Sequence, residues 1–147
     1  MKVMKMAFFA AALSLASAGT ALAADASKDQ YKAEREKIEA DSKAAREKCK
    51  DMKGNAKDIC MAEAKGQEKV AKAELTAKQK DTPKNRYDVA AAKADMEYNI
   101  AKEKCDDMKG KEKDACQKDA KNARDNAKKQ AKQERDTAEG RKDKKAA

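Results

Sequence analysis

The sequence predicts an all-α chain of elongated up-and-down helical hairpins, two antiparallel αα-hairpins in tandem with coiled-coil-like seams. Three observations carry this: a shortage of large apolar residues, a surplus of strong helix formers, and an internal repeat that contains its own turns. From Ala24 onward only Ile38, Ile59, Val70, Leu75, Val89 and Ile100 are Leu, Ile, Val or Phe. That is about 5% of the stretch, far below the ~20% at which a conventional globular core becomes doubtful. A sandwich, a barrel and a doubly wound sheet are excluded, leaving charged helices or disorder. The remainder is dominated by Ala, Lys, Glu, Arg and Gln, which have the best helix propensities.

Residues 1–23 read as a signal peptide. Lys2 and Lys5 precede an apolar run from Met6 to Ala18, and Ala21-Leu22-Ala23 offers small residues for cleavage after Ala23. This run of thirteen residues rises only about 20 Å as a helix, short of the ~30 Å hydrocarbon layer. No transmembrane anchor is therefore expected after cleavage, and the address is periplasmic. In that compartment thiols are oxidised, so the four cysteines of this small chain form a disulfide framework.

A shift of 56 residues aligns Glu47–Cys60 (EKCKDMKGNAKDIC) with Glu103–Cys116 (EKCDDMKGKEKDAC), ten identities in fourteen positions. Two copies are too few for a solenoid, so each must largely stabilise itself. The first hairpin is assigned to 24–80, the second to 81–140, and a basic disordered tail to 141–147. Helices are expected at about 26–53, 56–79, 83–109 and 112–138. Gly54 and Gly110 supply left-handed turns inside the copies, with Asn55 and Asp58 resembling a cap for the helix that follows. Pro83 after Thr82 marks the turn between copies.

If each glycine folds the chain back, facing residues keep a constant index sum. Cys49 then faces Cys60, and the same sum pairs Ala45 with Ala64, Ser42 with Gln67, Ile38 with Ala71 and Arg35 with Glu74. The steps of four and three are those of a helix seam. In the second copy Cys105 faces Cys116, Tyr98 faces Ala123 and Ala94 faces Ala127, along a stripe from Tyr87 to Met108. Four cysteines allow three connectivities; this register selects Cys49–Cys60 and Cys105–Cys116. A weaker seam joins the copies, pairing Val70 with Met96, Gly66 with Ile100 and Ala77 with Val89. An Ala seam buries little apolar area, so each cross-link, at about 3 kcal/mol for a loop of about a dozen residues, is expected to decide whether its hairpin persists.

Neither C-x2-4-C zinc spacing nor a C-x-x-C redox pair occurs. There is no His, serine is scarce, and no Gly-rich phosphate loop exists. The chain is therefore read as non-enzymatic, with no catalytic residues, metal or cofactor. From Gln117 onward, 11 basic residues face 6 acidic ones. Lys128, Lys129, Lys132, Arg135, Arg141, Lys142, Lys144 and Lys145 are the candidates for contact with a polyanion such as lipopolysaccharide or anionic lipid. No nucleic-acid motif or aromatic platform is present. Two partners are in play: an envelope protein, for which the chain is an interaction module or spacer, and an anionic envelope surface, for which it is a stress-protective factor.

The repeated unit at Ala45–Cys60 and Ala101–Cys116, on an exported Ala/Lys/Glu/Asp-rich chain, resembles a group of proteobacterial envelope proteins often labelled TolA-like. The likeness to TolA itself is one of composition. TolA keeps an inner-membrane anchor and ends in a globular domain, whereas this chain starts with a cleavable-looking segment and ends in Arg141-Lys142-Asp143-Lys144-Lys145. No functional residue carries over.

Overall fold

The computed structural model describes the backbone of residues 19–146 and the side chains of 27–141. Four helices follow one another: α1 (Gly19–Lys50), α2 (Gly54–Gln79), α3 (Pro83–Cys105) and α4 (Gly110–Ala146). Among the described residues there is no strand. Most of the expected signal peptide, residues 1–18, lies outside the described residues.

The boundaries follow from local chemistry. Thr82 is extended at φ −117°, and its hydroxyl accepts the Asn85 N–H at 3.1 Å, with Pro83 occupying the first helical position and buried. Asn85 closes the turn from the other side, its amide donating to Lys80 O at 2.6 Å. Gly54 and Gly110 have φ of +57° and +55°, a region costly for any residue with a Cβ. The helices before them end earlier than expected, at Lys50 and Cys105 instead of about 53 and 109. In each, the N–H three residues beyond the first cysteine turns back onto that cysteine's carbonyl: Met52 to Cys49 at 3.2 Å, Met108 to Cys105 at 3.0 Å. This tighter i to i−3 spacing ends the α-helical winding.

Two expectations about this turn are corrected. Met108 is not on the α3 seam but 43% exposed, because the 3.6-residue period stops with the helix at Cys105. Asn55 does not cap α2; the preceding Lys53 sits at the cap with no side-chain bond, and the Asn55 amide donates instead to Glu103 O of α3 at 2.7 Å. At the far end, α4 runs through Gly140 to Ala146, where a disordered tail was expected. Arg, Lys and Ala favour helix, and one glycine costs only about 1 kcal/mol relative to Ala when no proline follows.

Each helix packs only on its neighbours in sequence, α1 on α2, α2 on α3 and α3 on α4. The result is an open layer, one helix thick, with both disulfide turns at one end and the Thr82 turn at the other. In the first hairpin the seam buries Ser42, Cys49, Ala64 and Leu75. Ser42 donates to Glu68 at 2.8 Å, not to Gln67, and Arg46 of α1 closes on the same Glu68 carboxylate. Arg35 and Glu74 do not pair across the seam. Arg35 bonds Glu39 one turn on (3.4 Å), while Glu74 reaches the other way to Lys93 of α3 (2.7 Å). In the second hairpin Ala94, Cys105 and Ala131 are buried, and two guanidinium groups lie over tyrosine rings, Arg124 on Tyr98 at 4.3 Å and Arg135 on Tyr87 at 5.0 Å.

The α2–α3 contact is a full seam, set one helical turn away from the expected register. Gly66 lies against Met96, not Ile100. A Cβ at Gly66 would fall 2.8 Å from Met96 Cβ and overlap Met96 Cγ, so only glycine lets the two helices approach this closely.

The two outer helices end the layer. Where α2 carries Ile59, Gly66, Val70 and Ala77, the matching positions of α4 carry Ala115, Asn122, Asn126 and Gln133. A polar outer face of this kind is what terminates an array of repeats.

Candidate functional site

The stapled end of the layer gathers the most strongly repeated residues of the chain. Cys49 bonds Cys60 and Cys105 bonds Cys116, with Cα atoms 5.6 and 5.7 Å apart. The sulfurs of Cys49 and Cys105 are sealed beneath the turns, those residues being 1% and 0% exposed. Short turns run over them, Asp51-Met52-Lys53 in the first copy and Asp106 to Lys109 in the second. The Asn55 to Glu103 bond ties the first tip to α3, so the two tips are held beside one another.

Two sets of retained residues stand out. The cysteines and glycines make the turn, and Lys57 and Lys113 reach back to the helix just ended, Lys57 to Lys50 O (3.4 Å) and Lys113 to the Asp106 carboxylate (2.9 Å). That ammonium, with the Gln117 amide, holds Asp106 below the usual carboxylate range. Asp51/Asp107, Met52/Met108 and Lys53/Lys109 belong to the second set. All six are exposed, and none has a side-chain partner among the described residues. Met52 and Met108 are also the exposed large apolar residues of the described chain, at 41% and 43%. Sequence reasoning placed Met108 on the seam and passed over Met52; the signal that could have found both is their identity across the repeat.

Several packing residues diverge, while the small seam positions Ala45/Ala101, Ala64/Ala120 and Ala71/Ala127 stay alanine. Ser42 and Glu68 in the first seam stand where Tyr98 and Arg124 stand in the second, and Leu75 matches Ala131. One cross-seam link survives the change. Lys72 bonds Glu39 at 2.9 Å, and its counterpart Lys128 bonds Asp95, the counterpart of Glu39, at 2.6 Å. Glu68 is held below its ordinary value by the Lys72 ammonium first and the Ser42 hydroxyl next, against the opposing effect of burial. Lys72 is correspondingly raised by Glu68 and Glu39.

Among the basic residues singled out for a polyanion, several are engaged within the fold. Lys128 is engaged by Asp95. Lys132 and Arg135 both bond Asp136, at 2.7 Å each, and Arg135 also lies on Tyr87. Arg141 bonds Thr137 O at 3.4 Å, and Lys129 is exposed without a partner among the described residues. The side chains of Lys142, Lys144 and Lys145 lie outside the described residues.

Among the described residues no cluster of His, Cys, Asp or Glu is arranged to hold a metal, and no helix is long and apolar enough to cross a membrane. The carboxylates with displaced pKa values, Glu34, Glu39, Glu47, Glu68, Asp106, Asp125 and Asp136, all move downward because Lys or Arg bonds them. This is the direction of ion-pair partners; a general acid working near neutrality needs the opposite shift. What the arrangement offers chemically is a rigid, disulfide-backed pair of tips, each presenting an acid, a thioether and an ammonium. No family model, curated protein or solved structure matches the chain.

Proposed function

We propose that the protein is an exported, non-enzymatic interaction module of the cell envelope, a stiff helical spacer whose contact end is the pair of stapled tips. One observation carries the reading: the repeat retains exposed, unpartnered Asp-Met-Lys at both tips while buried or half-buried seam residues, Ser42, Glu68 and Leu75 among them, change. Selection for folding alone would favour the reverse, since buried packing is what a substitution disturbs most. Thioether side chains adapt to varied apolar partners, and the flanking charges supply orientation. Export is supported by the basic start, the apolar run to Ala18, the small residues before Ala24 and the two disulfides.

The second reading, attraction of the basic C-terminal helix to a polyanion, has less support. Lys128, Lys132 and Arg135 each have an acidic partner within the fold. A photo-crosslinking residue placed at Met52 or Met108 in intact cells tests the choice against the same residue at Gln130 on α4. A discrete adduct from the tip positions and none from Gln130 is the expected result. Adducts only from Gln130, together with salt-sensitive vesicle binding lost on deletion from Gln117 onward, would replace the tip reading with the polyanion one.

A further inference from the structure

Beyond the tips, a groove of 460 Å³ runs between α2 and α3, with Arg46 of α1 at its edge. Its floor is Ala62, Gly66 and Met96, and its rim on the α2 side carries Lys65, Lys69 and Lys72. The charges of this rim lack the acidic partners that many charges elsewhere on the surface have. Lys32–Glu36, Arg35–Glu39, Lys37–Asp41, Glu68–Lys72, Lys84–Asp88, Lys121–Asp125 and Lys132–Asp136 are all opposite-sign pairs four residues apart. Lys65 and Lys69 are four apart, of like sign and exposed, and neither has an acidic partner among the described residues. Like charges at this spacing destabilise a helix.

The repeat shows what the position would otherwise hold. The residues 56 further on are Lys121 and Asp125, which pair at 3.0 Å on the outer helix, where no groove exists. The first copy therefore has lysine in place of a stabilising aspartate at the one site where a neighbouring helix builds an apolar floor below it.

The other charges of the groove are already engaged. Arg46 and Lys72 both bond Glu68, and Asp95 bonds Lys128. Glu103 lies 3.8 Å from Lys102. The unpaired groups that remain are two ammoniums and the Asn99 amide, exposed on the opposite rim. We infer that this groove binds an amphiphile with a single anionic headgroup, phosphate or carboxylate, whose headgroup sits between Lys65 and Lys69 and whose alkyl chain lies on Ala62, Gly66 and Met96. The volume falls within the ~300–1,000 Å³ range of small-molecule sites. A free phosphate ion would leave the apolar floor bare, and a neutral detergent would leave the lysines unpaired.

The test titrates the full chain, with methyl-labelled methionines, with dodecyl phosphate and with dodecanoate below their micelle concentrations. Dodecyl maltoside and inorganic phosphate serve as comparison probes. A saturable shift of the Met96 methyl is expected with one or both anionic amphiphiles, the stronger of the two naming the headgroup, and with neither comparison probe. Lys65→Gln and Lys69→Gln are each expected to weaken binding roughly fivefold, while Lys129→Gln leaves it unchanged. Lys69→Asp installs the second copy's residue, so it should abolish binding while raising the thermal midpoint, which separates loss of the site from loss of the fold. Unchanged binding in Lys69→Asp, an equal response to dodecyl maltoside, or shifts at Met52 and Met108 in place of Met96 would overturn the assignment.

Discussion

The first and second hairpins share a turn, a disulfide and a cross-seam ion pair, yet their seams are closed by different chemistry. Ser42, Arg46, Glu68, Lys72 and Glu39 form a connected polar network in the first. The second uses tyrosine faces under guanidinium groups. Both solutions sit beside Ala rows too small to bury much area, so neither copy is held by a core in the ordinary sense. The difference teaches that the repeat keeps its turns and its small alanine seam positions and varies the larger side chains packed beside them: what must persist is the geometry that sets two short turns side by side.

The strongest way to break the comparison is to remove the staples one at a time. Cys49→Ser/Cys60→Ser and Cys105→Ser/Cys116→Ser each release a loop of about a dozen residues, an expected loss of about 3 kcal/mol. The larger effect is expected in the first hairpin, because α1 touches α2 less extensively than α4 touches α3. Thermal unfolding followed by circular dichroism, with limited proteolysis to show which outer helix is cut first, measures both. Equal helicity and equal midpoints with and without dithiothreitol would mean that the alanine seams suffice alone.

A smaller effect is expected at the seam between copies. Gly66→Ala gains helix propensity but sets a Cβ against the Met96 side chain close to its own backbone, where it cannot swing aside. Overpacking of this kind costs about 1–3 kcal/mol, more than the ~1 kcal/mol gained by replacing glycine. Asn122→Ala at the matching position of α4 meets no neighbouring helix and is expected to be neutral or slightly stabilising. Midpoints that fall for both variants would show that the glycine matters for α2 itself and not for its contact with α3.

Much of this was legible in the residues. The period of four and three, the constant index sum and the glycine and proline positions led to four helices, the two disulfides and the Thr82 turn, because each rests on local geometry or on a covalent constraint. The register between hairpins was legible only to within a turn. Small residues on both faces permit several alignments, and the choice was made by one close approach, Gly66 on Met96, that no periodicity reports. Long side chains also escaped the index-sum rule. Glu74 turned toward α3 and Asn55 bridged to Glu103 because a flexible polar group takes whichever partner lies within reach. Met108 was misplaced for a simpler reason, since a helical pattern was extended past the point where the turn ends the helix. Of the candidate site, the cysteines and glycines were found from sequence, whereas the exposure of the methionines needed the fold.

The smallest and most discriminating effect concerns pH. Glu68, half-buried, has its pKa depressed by Lys72 and Ser42, so its ionised form favours the folded state. Its contribution is fully present above the ordinary carboxylate range and is lost as pH falls through its own lower value. Lys72 is raised, so its share is present up to the ordinary lysine range and fades only as pH rises through the higher folded value. At neutral pH both contributions stand. Glu68→Gln should therefore lower the midpoint at pH 7, by an amount corresponding to about 1–2 kcal/mol, and converge on the unsubstituted protein as the solution is made acid. Arg124→Gln at the matching position of the second copy removes a guanidinium that stacks on Tyr98 and bonds Asp125. The share carried through Asp125 should therefore fade as the solution is made acid, while the stacking share persists from pH 7 to pH 3. Parallel curves for the two variants would show that the seams, despite their different chemistry, respond to acid through the exposed surface pairs they have in common.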